Sequence, residues 1–132
     1  MKKYSLTSGK IVELSLSNVD TALDLYRAVL TECKKANLNI NDLQEKSIAD
    51  LLKDNIEAIL NIFASKEVYE AILQCCTRVI YNKQKFSMEI FEEEAHRGDL
   101  FPLLQLVAIE NLAPFFPQLR TVFDVVEQSI LM

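Results

Sequence analysis

The longest apolar tract of the chain, residues 100–123, constrains its fold more than any other feature. Only Glu110 and Arg120 carry charge within it. A helix that is apolar on every side usually lies in the middle of its fold. A chain of 132 residues has few other elements that could surround such a helix. The tract therefore predicts either a central core helix or a helix that is covered by another protein.

Two prolines, Pro114 and Pro117, flank an aromatic pair near the end of this tract. Proline lacks a backbone N–H donor and fixes its own φ, so the chain has to bend or restart at these positions. A bend that holds Phe115 and Phe116 next to an apolar helix suits a corner of the core, and it equally suits a docking surface. Both interpretations are open at this point.

Composition and charge predict a single globular domain, residues 1–132, with no affinity for nucleic acid or membranes. The chain is 50% hydrophobic and 25% charged, which is typical of a folded protein. Its net charge is −5, and its scattered lysines and arginines do not form the cationic face that phosphate binding requires. The amino terminus lacks the pattern of a signal peptide, and no apolar stretch reaches the ~20 residues that span a bilayer. Three cysteines, two of them adjacent, suit a reducing cytoplasm.

Hydrophobic periodicity predicts a mostly α-helical fold, a compact bundle of about five to six helices. The predicted helices cover residues 19–33, 43–63, 65–81, 88–97, 100–112 and 117–128. Ser17, Ser65, Ser87 and Asp99 are the predicted amino-terminal caps. Gly98 is suited to a left-handed carboxy-terminal cap.

Residues 4–16 also allow a short β-hairpin arm at the amino terminus. Val12, Leu14 and Leu16 alternate with polar residues, which is typical of one strand, and the turn-forming residues 7–9 precede them. Because an isolated hairpin is marginally stable in water, such an arm would have to pack on the helices.

The residues that carry chemistry do not form a catalytic or metal-binding pattern. Cys75 and Cys76 are adjacent on a predicted helix, so they point in different directions and cannot easily share one metal ion. Glu93 and His96 have the spacing of a di-iron motif, but that site needs the motif twice and the chain has one histidine. We therefore expect no enzymatic activity, no catalytic residue, no metal and no cofactor.

Residues 68–123 resemble the tail assembly chaperones of long-tailed bacteriophages. The matching pieces are YEAILQCCTRVIYN (69–82), SMEIFEEEAHRGDLF (87–101) and NLAPFFPQL (111–119). They correspond to a helix with apolar and cysteine positions, a capped helix rich in Phe and Glu, and an apolar helix that ends in Asn-Leu-x-Pro-Phe-Phe. The resemblance implies a helical, non-enzymatic chaperone that coats the aggregation-prone tape measure protein until tail tube subunits polymerise around it.

The resemblance also implies where such a protein acts and what it contacts. Its partners would be the tape measure protein and the tail tube protein. It would act in the cytoplasm of the bacterial host, and it would be absent from the mature virion. It would act through apolar surface, which also allows a homo-oligomer. The candidate contact residues combine apolar bulk with the proline bend: Leu103, Leu106, Phe115, Phe116 and Leu119. Core packing explains the same residues equally well.

A second interpretation rests on the residues alone. A small helical adaptor or connector that is retained in a viral or other assembly would need the same apolar surface. Retention in the finished particle separates the two interpretations, because a chaperone leaves and an adaptor stays.

Overall fold

The computed structural model describes residues 1–35, 62, 64–117, 123–124, 127–128 and 130–131. Within these residues, helices pack on one face of a four-stranded antiparallel sheet. The expectation of a bundle of five to six helices is therefore wrong. The fold mixes α and β structure, and the core lies between the sheet and the helices.

The sheet has the strand order β1-β2-β3-β4, and every neighbouring pair is antiparallel. Its strands are β1 (Lys2–Ser5), β2 (Ile11–Leu14), β3 (Val79–Tyr81) and β4 (Gln84–Lys85). Side chains alternate between the two faces of a strand. The core face is formed by buried Val12, Leu14, Val79 and Tyr81, whereas Ile11 on the opposite face is exposed. The amino-terminal hairpin is thus one half of a larger sheet.

The second hairpin of the sheet occupies residues that the periodicity assigned to a helix and a polar connection. Asn82 and Lys83 have φ values of 49° and 67°, and they form the two-residue loop between β3 and β4. Positive φ at both central residues is the mark of a type I′ turn, whose twist matches that of the flanking strands. Val79 and Tyr81 bury their side chains by pairing with β2, so the helix predicted through Tyr81 is wrong.

Replacing Lys83 by glycine is expected to stabilise the protein by about 0.5–1 kcal/mol. Lysine is strained at a φ of 67°, and the strain that glycine relieves exceeds the entropy that glycine adds to the unfolded chain. Urea unfolding of the two proteins measures the difference. Lys85→Gly in strand β4 is the control, and it is expected to destabilise the protein because a strand interior disfavours glycine.

The described helices are α1 (Val19–Lys35), α2 (Lys66–Gln74), α3 (Glu94–Arg97) and α4 (Leu100–Leu112). Three 3₁₀ turns accompany them, at Cys75–Arg78, Met88–Glu92 and Ala113–Phe115. The segment predicted as one helix over residues 88–97 is therefore a 3₁₀ turn followed by a short helix. The predicted helix over residues 43–63 lies almost wholly outside the described residues. Of the one predicted over residues 117–128, the described residues 123, 124, 127 and 128 have helical backbone.

Two predicted caps are confirmed and three predictions at helix ends are wrong. Asp99 precedes α4, but its side chain makes no capping hydrogen bond. The hydroxyl of Ser65 accepts a hydrogen bond from the backbone N–H of Val68, and Ser87 likewise accepts one from Glu89. At the start of α1 the capping side chain is Asn18, whose Oδ1 accepts from Thr21 N at 2.9 Å.

Ser17 does not cap α1, because its hydroxyl and its N–H both donate to the side chain of Asn111 on α4. Gly98 has a right-handed conformation, with a φ of −67°, so the left-handed cap is also wrong. The chain passes directly from α3 into α4 at this point, and such a tight connection leaves no room for a reversal.

Helix α4 is buried along nearly its whole length. From Leu103 to Leu112, every residue except Gln105 is buried. Helices α1 and α2 pack on α4 and on each other, and the core face of the sheet joins the same cluster. Cover from several sides explains why the helix is apolar all round. Within the described residues, no helix is both long and apolar enough to cross a membrane.

Candidate binding surface

The structure describes four of the five predicted contact residues, and it places them in two environments. Leu103 and Leu106 have no exposed surface and lie in the core. Phe116 is buried and Phe115 is half-buried, both at the proline bend. Leu119 lies outside the described residues. A partner could reach Leu103 or Leu106 only after α4 is uncovered, so their part in binding stays a prediction.

Aromatic rings pack together at the proline bend. The ring of Tyr26 on α1 lies 5.3 Å from that of Phe115 and 5.1 Å from that of Phe116. Phe123, further along the chain, lies 6.2 Å from Phe116 on another side. Tilted rings at such distances attract one another beyond the burial of their area. The ring of Phe116 therefore packs against Tyr26 on α1 and against Phe123 further along the chain.

The described residues 123–124, 127–128 and 130–131 form what we call the carboxy-terminal segment. Several of its residues contact the body of the protein, and Ile130 is buried in the core cluster. Phe123 packs on Phe116, Glu127 hydrogen-bonds to Glu110, and Leu131 forms an isolated antiparallel bridge with Leu6. Leu6, Glu110 and Phe116 are all buried, with Glu110 8% exposed.

Glu110 is the one charged residue of α4 and lies in its last turn, and three groups converge on it. The Lys2 ammonium lies 3.1 Å from its Oε2, and the Tyr4 hydroxyl donates to its Oε1. Burial alone would raise the pKa of Glu110, but hydrogen bonds from Tyr4, Glu127 and Lys2 outweigh burial and lower it.

The pKa of Glu127 shifts in the opposite direction. Burial, the hydrogen bond to Glu110 and the negative charge of Glu110 raise the pKa of Glu127 to about 7. Two carboxyl groups can hydrogen-bond to each other only when one of them holds a proton. Glu127 is therefore the donor and Glu110 the acceptor, and the pair shares one proton near neutral pH.

This pair makes stability depend on pH in a predictable direction. The pKa of Glu127 is raised in the folded protein, so its contribution is complete below its ordinary pKa of 4.5 and is lost as pH rises through about 7. We therefore expect the free energy of unfolding to fall over this window relative to that of Glu127→Gln, whose amide donates the same bond without titrating. Urea unfolding of both proteins across pH tests this, and parallel profiles would contradict it.

The contribution of Glu110 to stability depends on pH in the opposite direction, because its pKa is lowered in the folded protein. Its contribution is present above pH 4.5 and is lost as pH falls through its folded-state pKa. Comparison with Glu127→Gln isolates Glu127, since Glu110 and the other carboxylates are common to both proteins.

A groove with a volume of 460 Å³ opens beside Glu110. Leu16 is 47% exposed there, although the alternating pattern placed it on the core face. Arg78 donates to the carbonyl oxygen of Leu16 at 3.2 Å and fixes the end of strand β2. The groove is lined by apolar and charged side chains: Met1, Lys2, Leu14, Ser15, Leu16, Arg78, Glu110 and Pro114.

Two further apolar side chains stand in solvent where sequence reasoning placed them inward. Phe101 is 66% exposed in the first turn of α4, and Val19 is 67% exposed at the start of α1. Their position in the first turn of a helix was the sequence signal for this exposure, because a helix end projects beyond the elements that cover the middle of the helix.

A second polar cluster ties the β1–β2 turn to the start of α4. The Tyr81 hydroxyl donates to Asp99 Oδ2 at 2.5 Å, and the Ser8 hydroxyl donates to the same oxygen at 2.8 Å. His96 Nδ1 lies 3.1 Å from the Tyr81 oxygen, and Glu93 lies 3.6 Å from the far side of the His96 ring. Burial, the hydrogen bond to Asp99 and its charge all raise the pKa of Tyr81.

The hydrogen bonds of this cluster hold the β1–β2 turn, β3 and the start of α4 together. The Tyr81 hydroxyl, with its raised pKa, stays protonated and donates to Asp99. The cysteines are also protonated, since burial raises the pKa of Cys76 to about 12 and also raises those of Cys75 and Cys33. Among the residues that the structure describes, no group of three or more potential ligands could hold a metal ion.

Comparison with known families identifies the chain. The model of the family described as "Phage tail assembly chaperone protein, TAC" matches residues 10–124. Neither the curated proteins nor the solved structures contain a significant match. The family match extends well beyond residues 68–123, which carried the resemblance, and it includes most of the sheet and all four described helices. The chain therefore belongs to the phage tail assembly chaperone family.

Proposed function

We propose that this protein is a non-enzymatic chaperone that binds the tape measure protein and keeps it soluble while a phage tail is assembled. The observation that carries the proposal is the family match over residues 10–124. In this proposal the protein acts in the cytoplasm of the bacterial host, also contacts the tail tube protein, and leaves before the virion is complete.

The surface of the protein supports a holding role. Phe101, Val19 and Leu16 are exposed on a folded body whose net charge of −5 opposes its own aggregation. A small protein with a few exposed apolar side chains binds weakly at any one place. Many copies along one extended client, or a homo-oligomer, would gain affinity through avidity.

Co-expression with the tape measure protein tests the proposal. The tape measure protein is expected to be soluble and to copurify with the tagged chaperone, and to be insoluble when expressed alone. Val19→Asp and Phe101→Asp are expected to reduce copurification, because each places a charge on exposed apolar surface. Thr31→Asp is the matched control, since it adds the same charge at an exposed position of α1.

Mass spectrometry of purified particles separates a chaperone from an adaptor. A chaperone is expected in assembling cells and absent from finished virions. A stoichiometric amount of this protein in finished virions would overturn the proposal in favour of a retained adaptor.

A further inference from the structure

The sheet presents a row of side chains on the face opposite to the core. Lys3 on β1 is paired with Glu13 on β2, Glu13 with Ile80 on β3, and Ile80 with Lys85 on β4. Directly paired residues point to the same side of a sheet, so these four residues lie side by side across all four strands. The described helices pack on the core face, and Lys3 and Lys85 are exposed on this one.

A groove with a volume of 380 Å³ adjoins the row. Its lining includes Lys3 and Glu13 from the row, Ile11 from the same side of β2, and Lys83 from the β3–β4 loop. Ile11 is 43% exposed, so the groove has an accessible apolar wall. The row and the groove share residues and are therefore one surface. We call it the outer face, formed by Lys3, Ile11, Glu13, Ile80, Lys83 and Lys85.

The outer face is positively charged on a protein whose net charge is −5. Its one acidic residue, Glu13, pairs with Lys3 at 3.4 Å. Lys83 and Lys85 have no ion-pair partner among the residues that the structure describes. Charges across an interface are arranged so that opposite signs meet, so this face fits a partner that carries carboxylates.

Lys83 occupies a backbone conformation that favours glycine, with a φ of 67°. Residues held in such strained conformations concentrate at functional sites, where the side chain has a use that outweighs the strain. At this position the use is visible, because the Lys83 side chain lines the groove together with exposed Ile11. A positive charge next to an apolar wall suits an amphipathic partner.

The spacing of the lysines fits the width of a helix. Neighbouring strands are about 4.8 Å apart, so Lys3 and Lys85, on the two edge strands, are separated by about 14 Å across the row. An α-helix with its side chains is about 10–12 Å in diameter. A helix that lies along the strands therefore fits between the two lysines, with its underside over Ile11 and Ile80.

We propose that the outer face binds an acidic amphipathic helix of the client, with apolar side chains against the two isoleucines and carboxylates against the lysines. The inference rests on the proposed function and deepens it, because it assigns a site and the chemistry of the client segment that the site recognises. Such contacts read charge and an apolar stripe, so they suit repeated binding along one long client.

Two synthetic peptides test the chemistry of the site without the client. Both form a helix with leucines along one side, and the flanks carry glutamates in one peptide and lysines in the other. In fluorescence anisotropy, the glutamate peptide is expected to bind wild-type protein roughly tenfold more tightly than it binds Lys83→Glu/Lys85→Glu. The lysine peptide is expected to prefer the variant. Equal affinities of both peptides for both proteins would overturn the proposal.

The matched control is Lys34→Glu/Lys66→Glu. It changes the net charge by the same amount at exposed positions of α1 and α2, away from the outer face. This variant is expected to keep the wild-type preference for the glutamate peptide. An equal loss in the control would mean that the peptide responds only to net charge, which contradicts a site on the outer face.

Copurification of co-expressed tape measure protein links the site to the client. Lys83→Glu/Lys85→Glu and Ile11→Thr are expected to recover roughly a tenth of the client that wild-type protein recovers. Undiminished recovery by these variants would overturn the inference, and self-aggregation of the lysine variant in that case would mean that its lysines protect the sheet edges instead. Failure of the wild-type protein to recover the client would overturn the proposed function, while the peptide result would stand.

Lys83→Gly separates binding from stability. This variant is expected to be more stable than wild type, yet to bind the glutamate peptide roughly two- to fivefold more weakly, because it lacks one ammonium of the site. Weaker binding by a more stable protein cannot arise from unfolding. Unchanged affinity would show that the Lys83 ammonium does not contact the partner, and it would contradict the proposed geometry.

Discussion

Replacement of Leu103 by alanine is expected to lower the free energy of unfolding by about 2–5 kcal/mol, the usual cost of truncating a fully buried leucine. Leu103 has no exposed surface and lies on α4, inside the cluster formed by the sheet and helices α1 and α2. Truncation removes the burial of its methyl groups and leaves a cavity that these neighbours fill only in part. Urea unfolding followed by circular dichroism measures the loss.

Phe101→Ala on the same helix is the matched control. Its side chain is 66% exposed, so removing it is expected to change stability by no more than about 0.5 kcal/mol. The two variants separate stability from binding, because we expect Phe101→Ala to weaken copurification of the client while the protein stays folded. A small loss for Leu103→Ala would show that α4 is not the centre of the core.

Asp99→Ala is expected to cost about 1–3 kcal/mol, because it removes the carboxylate that accepts from the buried Tyr81 hydroxyl. Its Oδ2 accepts from Tyr81 and Ser8, and the Lys10 ammonium lies 3.9 Å away. Tyr81 is fully buried, so no water replaces the lost oxygen at its hydroxyl. Thermal unfolding at neutral pH measures the effect.

Asp99→Asn distinguishes hydrogen bonding from charge. The amide oxygen still accepts one bond, so this variant is expected to recover much of the loss, whereas Ser8→Ala removes a single partner and is expected to cost about 0.5–1.5 kcal/mol. A loss for Asp99→Ala below about 0.5 kcal/mol would mean that His96 Nδ1, 3.1 Å from the Tyr81 oxygen, accepts the hydrogen bond of the Tyr81 hydroxyl instead.

Local signals located several elements well. The predicted bounds of the apolar helix, residues 100–112, agree with α4, because its continuous apolar run is visible in the sequence. Ser65 and Ser87 were correctly predicted as caps, since a hydroxyl placed before a helix acts on donors two or three residues ahead.

Strand β3 was not predicted, because it forms by pairing with β2, which is distant in the chain. Val68, Ile72 and Cys75 continue at helical spacing into Val79, and this pattern alone does not say where the helix ends. Pairing with β2 decides that end, and periodicity carries no information about such a partner. Asn82 was the available signal, since asparagine is frequent in two-residue hairpin turns.

The candidate site was predictable only in part, for the same reason. Apolar bulk and the proline bend drew attention to Phe116, which packs against Phe123, and also to Leu103 and Leu106, which lie in the core. Glu110 was visible as one of the two charges in the apolar tract. Its partner Glu127 was not, because the two carboxyl groups meet only through tertiary packing.

The pairing of β2 with β3 also bears on the order in which the chain folds during synthesis. Val12 and Tyr81 face each other across the sheet, although about half of the chain separates them. The first hairpin therefore leaves the ribosome long before its neighbouring strand exists, and a lone hairpin is marginally stable in water. Closing so long a loop costs entropy that local contacts do not repay, which slows folding. The protein thus completes its own sheet only after β3 and β4 have been translated.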